Sequence, residues 1–510
     1  MTKRLIKTVI ILAAILAVGL MVTDDINSRG ESELDYVYVR ADNEIINIFK
    51  SSDALYYLFL PSYIDEDDAE YSNAAKDLNI NVLKSESLDT VFINTQSGSL
   101  DDIYADKEYS ETAKIRIYSP IGELLYDGGI KSFKGRGNYS WNNWDKKPFS
   151  LTLSKDGDRL LDLGSGGKYA LIANASDATF LRNEIGRSLD VAAGVEFSHT
   201  GRFVDLYING DYMGNYYLAD TPDIGSDRID VTDAQTEIKK IYQNTNMDSL
   251  EYVITDNYKG IAASVNPDDM TGGYLLEREF EGRYKLEYDS TPSSLITRKG
   301  ESFFVRSPKY CSTEQMEYLS NYMNTIESAI YDDSDEYTGL LDIESFAKRY
   351  LVEEVMKNYD AGVSSAYFYK DSDEVDSRLK AAPGWDYDMS LGNYLDWMEY
   401  YNEGASQLTY LAVASSHSDW WKELYSHDDF EAMVKKYYAD CVSEYLSTLT
   451  ESKIDEYQKM LSSSAAMDAI RWKDMYDSNG YNPTDKAEFD KLKDFILARH
   501  DYLDSVWITE

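Results

Sequence analysis

The chain has 510 residues, with 91 acidic against 50 basic side chains and a formal net charge of −41 at pH 7. That length holds two or three domains and a sizeable core, and an acidic excess spread along the whole chain argues against a nucleic-acid partner, which needs a basic face for phosphate. Cys311 and Cys441, the two cysteines, permit at most one disulfide and no cysteine-ligated metal site.

Residues 1–30 read as a signal peptide or a short signal anchor. Lys3, Arg4 and Lys7 precede an apolar run from Thr8 to Val22, and Asp24 and Asp25 follow it. As a helix the run spans about 22 Å, against roughly 30 Å for a hydrocarbon core. Either reading puts the body outside a cytoplasmic membrane, secreted or attached through its N-terminus. Residues 31–110 alternate short aromatic or branched runs with acidic turns and form a small β-rich segment, in which Asp65 to Glu70 is a solvated loop. Residues 111–510 make up the main domain.

A strand over Ala113 to Tyr118 leads to Lys134-Gly135-Arg136-Gly137-Asn138. The two glycines let backbone N–H groups approach an anion while Arg136 supplies charge. Lys146 and Lys147 then lead into an alternating strand, Phe149 to Leu153; the pair is either a solvated strand end or a phosphate-holding lysine meeting a glycine loop, as in a kinase-like small lobe. The Gly164 to Tyr169 stretch is no Walker motif, because the first glycine is misplaced and Tyr169 stands where Ser or Thr is needed. Ser176 or Asp177 caps a helix running to Gly194, and Asn209-Gly210 joins strands Phe203 to Ile208 and Asn215 to Ala219.

From Leu341 to Asn393 the order of parts is helix, loop aspartate, hairpin and paired aspartates. Asp342 caps a helix with Phe346, Tyr350, Leu351, Val355 and Tyr359 on one face, and Asp360 follows its end. The runs Ala366 to Tyr369 and Arg378 to Ala382 form a hairpin that returns Asp386 and Asp388 towards Asp360. Converging carboxylates favour a hard divalent ion between them, and Mg²⁺ commonly comes with phosphate. Protein kinases show the same order, with a metal-binding asparagine five residues after the aspartate; here that residue is Ser365. Long amphipathic segments after Phe430 predict a helical large lobe, and the four histidines show no ligand spacing.

Several motifs together carry a family likeness: Lys134 to Asn138, Lys146 to Phe149, Leu171 to Asn174, Leu181 to Asn183, Val204 to Gly210 with Met213 to Tyr216, Gly272 to Glu277, and Trp385 to Asp388 with Gly392-Asn393. From about residue 110 to the C-terminus the chain resembles the CotH family of spore-coat-type atypical protein kinases. The resemblance implies an α+β, two-lobed kinase-like fold with an antiparallel small lobe and a mainly helical large lobe. It also implies ATP with Mg²⁺, or Mn²⁺ as the alternative, and phosphoryl transfer to Ser or Thr of secreted, surface or spore-coat proteins. By the same resemblance Asp360 orients the acceptor hydroxyl, and Asp386, with Asp388 as second candidate, holds metal beside Ser365. Lys147, or Lys146, holds phosphate, and Arg136 stands over the nucleotide between Gly135 and Gly137. Glu184 is what a lysine–glutamate ion pair would need. Two rivals stand beside this reading: a non-catalytic coat or surface assembly protein of the same fold, and a saccharide-handling protein with Asp360 and Asp386 as paired carboxylates.

Overall fold

The computed structural model describes residues 36–39, 44–72, 75–155, 157–332, 335–358, 360–401, 404, 406–413 and 419–508. The N-terminal apolar run, Tyr359 and His417 lie outside them. Among the described residues no helix is long and apolar enough to cross a membrane.

Alternating side chains build the first half of the molecule. Seven strands, β1 (Asp89–Thr95), β2 (Glu111–Tyr118), β3 (Leu124–Gly135), β4 (Phe149–Leu153), β5 (Lys168–Ile172), β6 (Gly201–Ile208) and β7 (Asp211–Asp220), close into a barrel. Their order is β4-β5-β7-β6-β1-β2-β3, and β3 pairs back onto β4. In β4 Phe149, Leu151 and Leu153 are buried in the barrel core while Ser150 and Thr152 alternate with them. In β1 Val91 and Ile93 join that core, and Phe92 turns outward onto Tyr118 and Tyr207. Both faces of β1 are thus apolar, and each such side chain contributes roughly 1.5–3 kcal/mol by burial.

This geometry corrects two expectations. The boundary near residue 110 does not separate two bodies, because β1 lies on its N-terminal side and is a stave of the barrel. Nor is the small-lobe sheet wholly antiparallel: it closes into a barrel in which β1 runs parallel to β6 from Asp89–Val204 to Ile93–Ile208. Two three-stranded sheets from residues 36–84 pack Leu58, Phe59 and Leu60 with Phe92 on the barrel's outside.

Local chemistry sets the connections. Asn209 and Gly210 sit at φ of 52° and 89°, as a two-residue hairpin between β6 and β7 requires. The helix α1 (Arg182–Ala193) begins later than a cap at Ser176 or Asp177 implies. Asp177 still serves its first turn, accepting the Arg182 backbone N–H at 2.8 Å.

The second half carries its own seven-stranded antiparallel sheet, where the sequence suggested mainly helices. Its strands are β8 (Tyr252–Ile254), β9 (Tyr258–Ile261), β10 (Tyr274–Glu279), β11 (Ser294–Ile296), β12 (Ser302–Ser307), β13 (Ala366–Lys370) and β14 (Leu379–Ala381), in the order β8-β9-β11-β12-β10-β13-β14. The short helix α2 (Glu281–Glu287) follows β10, and α3 (Thr313–Ile330) and α4 (Ile343–Met356) precede the hairpin β13–β14. A helical run from Asp428 to Arg471, broken only by two π turns, and the last helix, Lys486–Trp507, complete the chain. One large core joins α1, this sheet and these helices, and a separate core fills the barrel. The class is α+β.

Buried ion pairs tie the pieces together. Arg499 of the last helix pairs with Glu354 of α4 at 2.7 Å, both essentially inaccessible. Cys311 is buried and Cys441 exposed, and both are free thiols.

Candidate active site

Helix α4 starts on Asp342, whose side chain accepts the Ser345 N–H, and stops at Lys357, which turns left-handed at φ 47°. Asp360 opens the turn that follows: its carbonyl accepts the N–H groups of Val363 and Ser364 at 3.0 and 3.1 Å. Gly362, at φ 68°, presses this turn against Trp421, where an added Cβ would lie 2.0 Å from the ring. Hairpin β13–β14 then pairs Phe368 with Ala381 and Lys370 with Leu379, and its second strand delivers Trp385 to Asp388. Asp386 itself has a positive φ, 68°.

Helix α1 holds that loop. The Arg182 guanidinium donates to the carbonyls of Ser390 and Leu391 at 2.9 and 3.2 Å. Asn183 accepts the Tyr387 N–H at 3.0 Å and donates to the Asp388 carboxylate. Gly186 allows Tyr387 to lie on the helix, since a Cβ there would meet its ring at 2.2 Å.

Asp360, Asp386 and Asp388 line one cavity of about 320 Å³, together with Ser365, Arg136 and Gly137. Burial first, and then the charge of Asp386, push the Asp360 carboxyl up to about 7, with Arg283 opposing and Asp388 adding a little. Asp388 is also raised, by burial first and Asp386 next, against the Asn183 hydrogen bond. Ser365 Oγ donates to Asp386 Oδ2 at 3.3 Å. Arg136 lies 5.1 Å from the centroid of the Trp385 ring. Gly135 lies outside the cavity lining; it makes room for Trp141, whose ring a Cβ would meet at 2.6 Å.

The lysine pair is not brought to this cavity. Lys146 is fully buried between the barrel and the Asp428 to Arg471 run, 2.5 Å from Asp468 and 2.7 Å from the Asn215 carbonyl. Lys147 donates to the Trp141 carbonyl at 2.5 Å. Holding phosphate would strip Lys146 from a buried carboxylate, and Lys147 lies outside the cavity lining, so neither lysine stands beside the three aspartates. Among the described residues Glu184 meets no lysine either: it pairs with Arg187 at 2.6 Å and accepts the hydroxyls of Tyr217 and Tyr457.

Other cations take their place. Arg283 of α2 and Arg306 of β12 line the cavity, as does Glu277 of β10. Arg283 reaches Glu287 at 2.8 Å, and Arg306 bridges Glu277 and Glu287. Sequence reading missed both arginines. Glu277 stood in the Gly272 to Glu277 motif without a role, and its buried neighbours Arg278 and Glu279 were the available signal, since a strand buries such charges only when partners face it. Tyr139, Trp144, Ile172, Met389 and Tyr394 add aromatic and apolar surface to the lining.

A family model described as CotH kinase protein matches residues 133–503. The chain belongs to the CotH kinase family. That match spans the barrel from the end of β3 onward, the second sheet, α4 and nearly all of the last helix. No curated protein matches the chain. The family motifs now have places in the fold: Leu181 to Asn183 hold the loop that Trp385 to Asp388 form, and Asn393 donates to the Asp388 carbonyl at 2.7 Å. Among the described residues no three His, Cys, Asp or Glu side chains gather into a metal cluster. Two carboxylates and a hydroxyl are nevertheless a fitting donor set for Mg²⁺, which keeps several waters and takes its remaining oxygens from phosphate. The relief such an ion gives to mutually repelling carboxylates matches the raised Asp360 and Asp388.

Proposed function

We propose that this CotH-family chain is a protein kinase that transfers the γ-phosphoryl group of ATP to Ser or Thr hydroxyls of secreted, surface or spore-coat proteins. The observation that carries the reading is Asp360, a carboxyl pushed up to about 7 on the wall of a cavity that also gathers Asp386, Asp388, Arg136, Arg283 and Arg306. A base poised near neutral pH is matched to accepting a hydroxyl proton. The barrel stands as the small lobe and the second sheet with its helices as the large one. Asp360 takes the acceptor proton as the new O–P bond forms and the bond to ADP breaks. Asp386 and Asp388, with Ser365, would hold Mg²⁺, or Mn²⁺ in its place, whose charge neutralises the phosphates when bound. The three arginines steady the phosphate oxygens, which guanidinium groups meet in a planar fork. Tyr139, Trp144 and Tyr394 offer the base a stacking surface. The basic and apolar leader supports action beyond the cytoplasmic membrane.

One observation favours a second reading, a non-catalytic assembly protein. Ser365 stands at the asparagine position, and its hydroxyl is already engaged by Asp386. The test is incubation of the chain from residue 36 with γ-labelled ATP and Mg²⁺ or Mn²⁺, beside Asp386→Ala. Label on protein that depends on Asp386 is the expected result. Nucleotide binding by thermal shift with no label on any acceptor would establish the second reading.

A further inference from the structure

The loop Lys134 to Asn138 reaches the cavity from the barrel side, and the side chains that grip it come from ahead of the family match, which starts at residue 133. Arg136 lines the cavity with one guanidinium nitrogen, Nη1, buried and without a hydrogen-bond partner. Arg283 rests on Glu287, and Arg306 on Glu277 and Glu287. Among the described residues, then, Arg136 is the cavity arginine that no carboxylate touches. Where its charge points depends on the backbone that carries it.

Lys107 fixes that backbone. After β1 the short helix Asp101–Ala105 buries Ile103 in the barrel core and sets Tyr104 against Trp141, with 6.2 Å between ring centroids. Two residues past this anchored turn, Lys107 Nζ donates to the Gly137 carbonyl at 2.8 Å and to Asn138 Oδ1 at 2.6 Å. The stem of Lys107 lies against Gly135, where an added Cβ would stand 2.9 Å from the lysine Cβ. Glu108 pairs with Lys134 at 2.6 Å. Two consecutive side chains thus hold Lys134, Gly135, Gly137 and Asn138, and Arg136 is left to face the cavity. The Arg136 N–H is itself spent on the Pro148 carbonyl at 3.2 Å.

The same lysine orients Asn138, whose Nδ2 donates to Glu287 Oε1 at 3.4 Å. An amide between an ammonium and a carboxylate has one favourable direction, oxygen to the cation and N–H to the anion. Because Glu287 also carries Arg283 and Arg306, the chain Lys107, Asn138, Glu287 joins the barrel loop to the arginines beside the second sheet.

We propose that Lys107 is a positioning residue for the nucleotide: by fixing Gly137 and Asn138 it holds Arg136 where the phosphate oxygens of ATP arrive. This rests on the kinase reading above. Lys107 lies outside the cavity lining and acts only through the loop, so the phosphates, and not the adenosine, should feel its loss.

The test uses the chain from residue 36 with Lys107→Met, which keeps the stem and removes the donor, and Lys107→Arg, which keeps both charge and donors. Affinities for ATP and for adenosine are read by calorimetry with Mg²⁺ and no acceptor, and transfer by label from γ-labelled ATP on a serine peptide. Lys107→Met should weaken ATP binding about tenfold, the scale of one hydrogen bond to a charged group, and raise the KM for ATP alike. Adenosine affinity, the KM for the peptide and the melting temperature should stay near those of the parent, and Lys107→Arg should recover most of the ATP affinity. Unchanged ATP affinity in folded Lys107→Met, an equal loss for ATP and adenosine, or a lowered melting temperature with ATP affinity per folded molecule retained would overturn the proposal. Should Lys107→Met not fold, Lys107→Gln takes its place with the same outcomes. A parent that binds ATP and labels no acceptor, with the Lys107→Met loss intact, would keep the positioning role and overturn the kinase reading; a parent that binds no ATP would overturn both.

Discussion

A carboxyl at about 7 makes Asp360 sensitive to pH in two measurable ways. Its conjugate base is the form that accepts a proton, so transfer should rise with pH to a plateau, with the rise centred below pH 7 because a bound Mg²⁺ would relieve the repulsion from Asp386 and Asp388. Asp360→Asn should cost about 10²–10⁴-fold in transfer and leave nucleotide affinity near that of the parent. Stability gives an independent check with metal chelated. Because the folded-state value lies above that of an ordinary aspartate, about 3.9, the folded protein holds this proton more tightly than the unfolded chain, and stability falls as pH rises from about 4 to 7. Asp360→Asn should therefore raise the melting temperature at pH 8 and leave it unchanged below pH 4; an equal shift at both would refute the buried-carboxyl account. Lys146 makes the opposite case. Asp468 beside it is inaccessible, so Lys146→Met strands a buried charge and should cost about 3–5 kcal/mol in urea unfolding. Transfer per folded molecule should persist, and loss of nucleotide affinity at unchanged stability would return the phosphate role to this lysine.

At the scale of elements, α1 is the support on which the reactive loop rests. Asn183 contacts both Tyr387 and Asp388, so, on the proposed metal site, Asn183→Ala should raise the Mg²⁺ concentration needed for half-saturation about 10–100-fold. Gly186→Ala should cost about 1–3 kcal/mol, because its Cβ would meet the Tyr387 ring at 2.2 Å and either the helix or the loop must yield. A thermal melt with a nucleotide titration separates the two: a stability loss at unchanged affinity would mean that the helix moved and the loop held. The helix was visible in the sequence from Leu181, Ile185 and Leu189, but its start was not. Asp177 serves the first turn from five residues ahead, and no local spacing rule describes that.

For the whole molecule the barrel matters most. A chain beginning at residue 111 lacks β1, leaving β2 and β6 unpaired along one edge and the barrel core open, so it should be insoluble or molten where a chain beginning at residue 36 is folded. A cooperative melt of the shorter chain would show that the barrel closes without β1. The sequence by itself determined what short-range chemistry can encode: the Asp342 cap, the hairpin that returns Asp386 and Asp388 towards Asp360, the Asn209-Gly210 turn and the family motifs. Each depends on neighbours within a few residues or on a matched order of motifs. Only the tertiary structure decided which charges share a cavity. Lys146 and Arg306 are both basic residues near alternating strands, and nothing in their local patterns distinguishes them. Lys146 is claimed by Asp468, 322 positions away, while Arg283 and Arg306 are brought to Asp360 by the pairing of β10 with β12 and β13. Burial makes an unpaired charge costly, so each cation goes where a partner waits, and the partners are placed by the fold.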